Sequence, residues 1–185
     1  MAKLDEYIES VRAENGMKSP LRKPDKAGKV LVLGIGNELL SDEGIGIHAI
    51  RALANRYDWA EIEIVDGGTT GMELLPQLEG VDRLIVVDAV RAGQPPASIV
   101  RLDGDRVPAY FKTKLSPHQV GLSDLLAAMS FKGTAPGHVV LIGVQPVTLS
   151  VGLELSPEVK ARLDEVVNLV LAELTLNGHP VKMRN

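Results

Sequence analysis

Four consecutive apolar residues, Leu84, Ile85, Val86 and Val87, stand between Arg83 and Asp88 without a polar side chain among them. A half-buried strand alternates apolar and polar side chains, so this run predicts a strand that is buried on both faces at the centre of a sheet. Aromatic residues make up only 3% of the chain, and the core must therefore be aliphatic. Together these features favour an α/β fold with helices on both faces of the sheet.

Strands and helices are predicted to alternate along the chain. We expect strands at residues 29–34, 61–65, 83–87, 98–102 and 138–144, and helices at 42–57, 71–78, 120–129 and 157–174, the last capped by Ser156. The segment 93–96 is too short for a crossover helix, so the strand that follows it should run antiparallel. The pattern predicts a three-layer α/β/α domain around a mixed, mostly parallel five-stranded sheet with one antiparallel strand.

The chain of 185 residues suits one domain, which we place at residues 29–178 between an N-terminal extension (1–28) and a C-terminal tail (179–185). The net charge of −4 argues against nucleic acid or a membrane surface as a partner. Cysteine is absent, which excludes disulfides, a cysteine nucleophile and a thiolate metal site within this chain. No stretch is typical of a secretory signal or membrane span, so we expect a cytoplasmic protein, by default a monomer.

Polar residues follow the predicted parallel strands at the points where those strands end. In chain order they are Asn37, Asp42, Glu43, Asp66, Thr69, Asp88 and Gln145. Ligands of open α/β sheets bind beyond the carboxyl ends of the strands, where these side chains should meet. The segment 115–119 adds the imidazole of His118, placed by Pro117. Glu43, Asp88 and His118 would form a site for Zn, Ni, Mn or Fe with coordination positions left open.

Each of these residues also has a purely structural explanation. An acid at Glu43 complements the dipole of the following helix, Asp42 suits a cap of that helix, and His118 can orient its own loop. Asp88 is harder to explain in this way, because a carboxylate without a partner is costly at the end of a buried strand.

The other three histidines are weaker candidates for a functional role. His48 is predicted on a solvated helix face, His138 opens a strand at the opposite end, and His179 lies in the tail. The usual signatures of nucleotide-binding proteins and hydrolases give little support to other chemistries. Gly34 and Gly36 begin like a dinucleotide-binding turn, but Leu39 stands where a third glycine is required. Walker, Gly-x-Ser-x-Gly and His-Glu-x-x-His motifs are absent from the sequence.

Five motifs in order resemble those of the [NiFe]-hydrogenase maturation endopeptidases. They lie at residues 33–44, 66–69, 87–89, 116–122 and 143–146, and the resemblance spans about residues 29–175. It implies a protease that removes a short C-terminal peptide from the precursor of the hydrogenase large subunit after nickel insertion. The 28 residues before the first strand depart from the family pattern, and their role stays open.

The resemblance also implies the roles of individual residues. The metal ligands of the family map onto Glu43, Asp88 and His118, and nickel is expected to arrive with the precursor, with no organic cofactor. The catalytic group is not assigned, with Asp42 and Asp88 as the candidates, and Asp42, Thr69 and Gln119 are expected to support the cleft. The absence of cysteine is consistent with nickel that stays on the precursor, because oxygen and nitrogen ligands would not easily remove nickel from thiolates of the substrate.

Two other functions remain open at this point. A non-catalytic maturation chaperone could use the same three ligands to bind nickel or the precursor without cutting it. A nucleotide-dependent enzyme could hold a phosphate at the turn of residues 34–37.

Overall fold

A computed structural model describes residues 28–59, 62–107 and 117–184, and only the backbone of residues 117–120. Except for Gly28, the predicted N-terminal extension lies outside the described residues. Within the described part, none of the helices is long and apolar enough to cross a bilayer.

The central sheet has five strands in the order β3-β1-β4-β6-β5. Its strands are β1 (Lys29–Ile35), β3 (Ile62–Gly68), β4 (Val81–Ala89), β5 (Ile99–Asp103) and β6 (His138–Val144). Neighbouring strands are parallel except for β5, which runs antiparallel to β6. The predicted mixed sheet, including the direction of its one antiparallel strand, is confirmed.

Side chains of the strands pack on both faces of the sheet, which makes the domain three-layered. The helices are α1 (Ile45–Arg56), α2 (Leu75–Leu78), α3 (Pro117–Lys132), α4 (Pro157–Lys160) and α5 (Leu163–Leu176), with 3-10 turns at Ser41–Gly44 and Met72–Leu74. Helices α1 and α5 cover one face, where they bury alternate strand residues such as Ile85 and Val87. Helices α2 and α3 cover the other face, where they bury Leu84 and Val86.

The C-terminal part of the chain differs from the prediction in two places. The single helix expected at residues 157–174 is two helices, because Arg162 N–H donates to the Val159 carbonyl three residues back and tightens the chain between them. Ser156 does cap α4, accepting a bond from Val159 N–H at 3.4 Å. The segment treated as a tail contains strand β7 (Lys182–Met183), which pairs antiparallel with β2 (Tyr57–Asp58).

A glycine allows α1 to lie directly on the carboxyl ends of the two central parallel strands. A Cβ atom at Gly46 would stand 2.3 Å from the carbonyl oxygen of Ile35 and 2.4 Å from that of Val87. No side chain fits at such distances, so backbone packs on backbone here. This contact brings the 3-10 turn Ser41–Gly44, which carries two acidic residues, to the edge of the sheet where β1 and β4 end.

A cluster of charged side chains lies at the opposite edge of the sheet. Arg101 of β5 binds the buried carboxylate of Glu173 on α5 at 2.6 Å and Asp103 at 2.9 Å. His138, the first residue of β6, pairs with Arg83 of β4. Burial, and then the charge of Arg83, lower the pKa of His138. The cluster ties the edge strand β5 to α5.

Gly46→Ala should destabilise the fold because its methyl group would contact two carbonyl oxygens that belong to the sheet. We expect the free energy of unfolding to fall by about 1–3 kcal/mol or more, measured by urea denaturation. Gly137→Ala is the control, since the nearest atom to its Cβ would be 3.3 Å away, and its loss should be clearly smaller. Equal losses in the two variants would contradict a tight contact at Gly46.

The lowered pKa of His138 predicts a pH-dependent stability. Above the unfolded pKa of about 6.5 the imidazole is neutral in both states, and below it the unfolded chain takes up the proton more readily than the folded protein. The free energy of unfolding of the wild type should therefore fall relative to that of His138→Gln as the pH is lowered from about 7.5 to about 5. Urea denaturation of both proteins at several pH values measures this difference, and a constant difference would refute the prediction.

Candidate active site

The turn after β1 packs tightly between α1 and the end of β3. Gly36 has a φ of 140°, and a Cβ atom at this residue would stand 1.8 Å from the carbonyl oxygen of Glu43. The N–H of Gly36 donates a hydrogen bond to the carbonyl oxygen of Gly68 at 2.8 Å. A Cβ at Gly34 would stand 2.4 Å from the Gly46 carbonyl oxygen. The protein itself occupies the space beside both glycines. This arrangement gives no support to the hypothesis of a phosphate-binding turn at residues 34–37.

Glu43 and Asp88 are both buried at the carboxyl edge of the sheet. Glu43 belongs to the 3-10 turn before α1, and Asp88 is the penultimate residue of β4, opposite Gly143 of β6. The contact of Gly46 with the end of β4 holds that turn beside the strand. The prediction that these two acids, 45 positions apart in the sequence, lie at one edge of the sheet agrees with this arrangement.

The backbone of His118 belongs to the first turn of α3, which begins at Pro117 and not near residue 120 as predicted. Proline suits the first position of a helix because its missing N–H has no partner there in any case. One turn further on, a Cβ atom at Gly121 would stand 2.9 Å from the Cα of Gly71, so α3 begins against the loop that follows β3. The backbone of residue 118 thus lies in the first turn of α3, and this end of the helix packs against the loop after β3 at the carboxyl edge of the sheet.

The side chains of His118 and Gln119 lie outside the described residues, and their predicted roles stay predictions. Among the side chains that the structure does describe, no three Asp, Glu, His or Cys are grouped so as to hold a metal ion. The His118 imidazole, the third expected ligand, is not part of that set.

Asp42 connects two loops and does not cap a helix, so its predicted capping role is wrong. Its fully buried carboxylate accepts bonds from Val147 N–H and Thr148 N–H, both at 2.9 Å, and from Ser156 N–H at 2.7 Å and Oγ at 3.0 Å. Neither the 3-10 turn nor α1 has a side-chain cap. Asp42 therefore holds the loop between β6 and α4 against the turn that carries Glu43.

The remaining polar candidates at the carboxyl edge of the sheet have side chains that are more exposed than those of Asp42, Glu43 and Asp88. Asp66 accepts a bond from Gly68 N–H at 3.1 Å and lies 3.6 Å from the guanidinium of Arg51, which also binds Glu38. Thr69 is exposed in the next turn. Gln145 lies with Arg91 and residues 146–149 around a cavity of about 420 Å³.

One histidine differs from its predicted environment. His48 is half-buried on α1, and its Nε2 is a buried atom without a hydrogen-bond partner among the described residues, so the predicted solvated position is wrong. Its ring lies beside Gly44, where a Cβ would be 3.5 Å from Cδ2. Helical periodicity does not show this, because Gly44 belongs to the turn before the helix.

Comparison with known proteins identifies one group of relatives. A sequence model of the family described as hydrogenase maturation protease matches residues 47–173. The Hydrogenase 2 maturation protease of Escherichia coli (strain K12) is 43% identical over 152 residues, covering 81% of this chain and 93% of that protein. The hydrogenase expression/formation protein HupD of Rhodobacter capsulatus is 40% identical over 162 residues, covering 86% and 76% of the two chains.

Solved structures give the same result. The hydrogenase maturating endopeptidase HybD from E. coli aligns with a TM-score of 0.82 at 42% identity, covering 84% of this chain and 98% of that chain. The [NiFe] hydrogenase maturation protease HybD from Thermococcus kodakarensis aligns with a TM-score of 0.65 at 29% identity, covering 77% and 96%. The sheet and its helices are therefore common to this chain and to these proteases.

Asp42→Asn should destabilise the protein, because an amide would direct N–H groups at donors that now meet a carboxylate oxygen. Each hydrogen bond to a charged group contributes about 1.5–3 kcal/mol, so we expect a loss of about 2–4 kcal/mol in urea denaturation. Asp82→Asn is the control, since this exposed carboxylate accepts one backbone bond, from Lys29 N–H at 2.9 Å. Similar stability in the two variants would argue against the linking role of Asp42.

Proposed function

The chain belongs to the hydrogenase maturation protease family, and from that premise we propose that it removes a short C-terminal peptide from the nickel-loaded precursor of a [NiFe]-hydrogenase large subunit. One observation carries the proposal: the buried carboxylates of Glu43 and Asp88 lie at the carboxyl edge of the sheet, in a chain that aligns with a solved hydrogenase maturating endopeptidase at 42% sequence identity and a TM-score of 0.82. Ligands of such sheets bind at this edge.

We propose that Glu43, Asp88 and His118 recognise nickel that the precursor brings with it. Two buried carboxylates lose much of their hydration, and a divalent cation beside them offsets that cost. An imidazole in the first turn of α3 would complete a set of two oxygen donors and one nitrogen donor. Such a set binds nickel less tightly than thiolates do, so the ion is expected to stay with the precursor and to mark it as loaded.

Hydrolysis of a peptide bond requires a group that takes a proton from the attacking water. We propose that Asp42 does not fill this role and acts as a positioning residue, since both of its oxygens accept hydrogen bonds from residues 147–156. Asp88 is then our candidate, because a carboxylate that binds the ion through one oxygen keeps the other for a proton. Thr69 and Gln119 are proposed to contact the substrate backbone.

We further propose a cytoplasmic monomer that acts on the precursor and on neither nucleic acid nor membranes. The net charge of −4 argues against nucleic acid and anionic membranes as partners, and the absence of cysteine suits a reducing cytoplasm. The monomer is the default assumption. Residues 29–178 are proposed as the working unit, with residues 1–28 as an accessory extension.

The proposal predicts that precursor loses a C-terminal peptide only when nickel is bound. Intact-mass spectrometry of precursor incubated with enzyme, with and without verified nickel loading, measures the cut. Asp88→Asn, which removes the negative charge and the proposed proton acceptor, and His118→Ala, which removes a ligand, should each reduce the rate at least about 100-fold. His179→Ala and Asp82→Asn are controls with the same chemical changes away from the proposed site, and both should cut normally. An unchanged precursor mass under full nickel loading would favour a chaperone.

A further inference from the structure

Exposed apolar side chains are concentrated on two loops at the carboxyl edge. Among the described residues seven large apolar side chains are exposed, and four of them are Leu39, Val147, Val151 and Leu153. Leu39 follows β1, and the other three lie between β6 and α4. We call these four residues the apolar rim. A soluble protein exposes isolated apolar residues freely, but a group on adjoining loops is typical of an interaction surface.

Backbone hydrogen bonds hold the two loops of the apolar rim together. Gly152 N–H donates to the Leu39 carbonyl at 3.0 Å, and Ser41 N–H donates to the Gly152 carbonyl at 2.8 Å. Ser41 Oγ also donates to the Ser150 carbonyl at 3.0 Å. The apolar side chains are therefore presented by a connected backbone, and a partner would bind them with little loss of chain entropy.

The apolar rim is continuous with the proposed site. Val147 N–H donates to the carboxylate of Asp42, whose neighbour in the chain is Glu43. The cavity of about 420 Å³ beside Arg91 and Gln145 is lined in part by Val147. The loop that carries three of the four apolar side chains is therefore tied to the turn that carries Glu43.

We propose that the apolar rim is the docking surface for the folded body of the hydrogenase precursor, through an apolar patch beside its C-terminal segment. This inference rests on the proposed function. A second copy of the chain is the other occupant to consider. A permanent dimer through this surface would cover the approach to Glu43 and Asp88 that a protein substrate needs, and we therefore assign the surface to the precursor.

The test compares two double variants that each place two acids at exposed apolar positions. Val151→Asp with Leu153→Asp changes the apolar rim, and Phe131→Asp with Met183→Asp changes residues on neither loop. Val151 is 89% exposed and Phe131 95%, so neither change should disturb the core. With nickel-loaded precursor we expect the rim variant to raise KM about ten-fold or more while kcat stays within about two-fold, and the control to match the wild type.

The outcomes separate this inference from the proposed function. Failure of the wild type to cut nickel-loaded precursor would overturn both. Normal cutting by the wild type, with equal KM values for the two double variants, would overturn the docking surface alone. Analytical ultracentrifugation tests whether a second copy occupies the surface. If the wild type is a dimer, the rim variant is a monomer and the two have the same KM, the surface belongs to a second copy and the proposal is contradicted.

Discussion

The contact of α1 with the carboxyl ends of β1 and β4 is the constraint on which the candidate site depends. At Gly46 the helix backbone lies against the carbonyl groups of Ile35 and Val87, where no Cβ fits. Glu43 precedes that helix and Asp88 follows Val87, so the same contact sets where both acids lie. The position of the acidic turn is thus determined by backbone packing, and a side chain at this one position would displace the turn from the strand.

We propose different roles for the two neighbouring acids in this turn. Both carboxylate oxygens of Asp42 accept hydrogen bonds from residues more than a hundred positions away in the sequence, so this side chain stabilises the fold. Glu43 is buried at the same edge as Asp88. By fastening the loop after β6 to the turn, Asp42 joins the proposed ligand region and the proposed docking surface into one structural unit. A substitution that moves the loop after β6 would therefore also move the turn that carries Glu43.

Much of the fold followed from local sequence patterns. The unbroken apolar run at residues 84–87 is indeed the central strand, and the short segment at 93–96 correctly indicated that the next strand in the chain, β5, runs antiparallel. Glu43 and Asp88 lie at the predicted edge because acids after parallel strands share one edge, and their role as ligands stays a prediction. The partners of Asp42 and the β2–β7 pair were missed, since each depends on contacts between distant segments. The burial of His48 was missed because helical periodicity does not show that the preceding turn lies beside its ring. For His118 the location of the side chain remains a prediction.

The contact between Gly71 and Gly121 has a consequence for how freely this protein can vary. A Cβ atom at Gly71 would stand 2.8 Å from the Cα of Gly121, and a Cβ atom at Gly121 would stand 2.9 Å from the Cα of Gly71. A larger residue at either position would therefore push the first turns of α3 away from the loop that follows β3. Neither glycine can be replaced without changing the spacing of the backbone at this edge of the sheet.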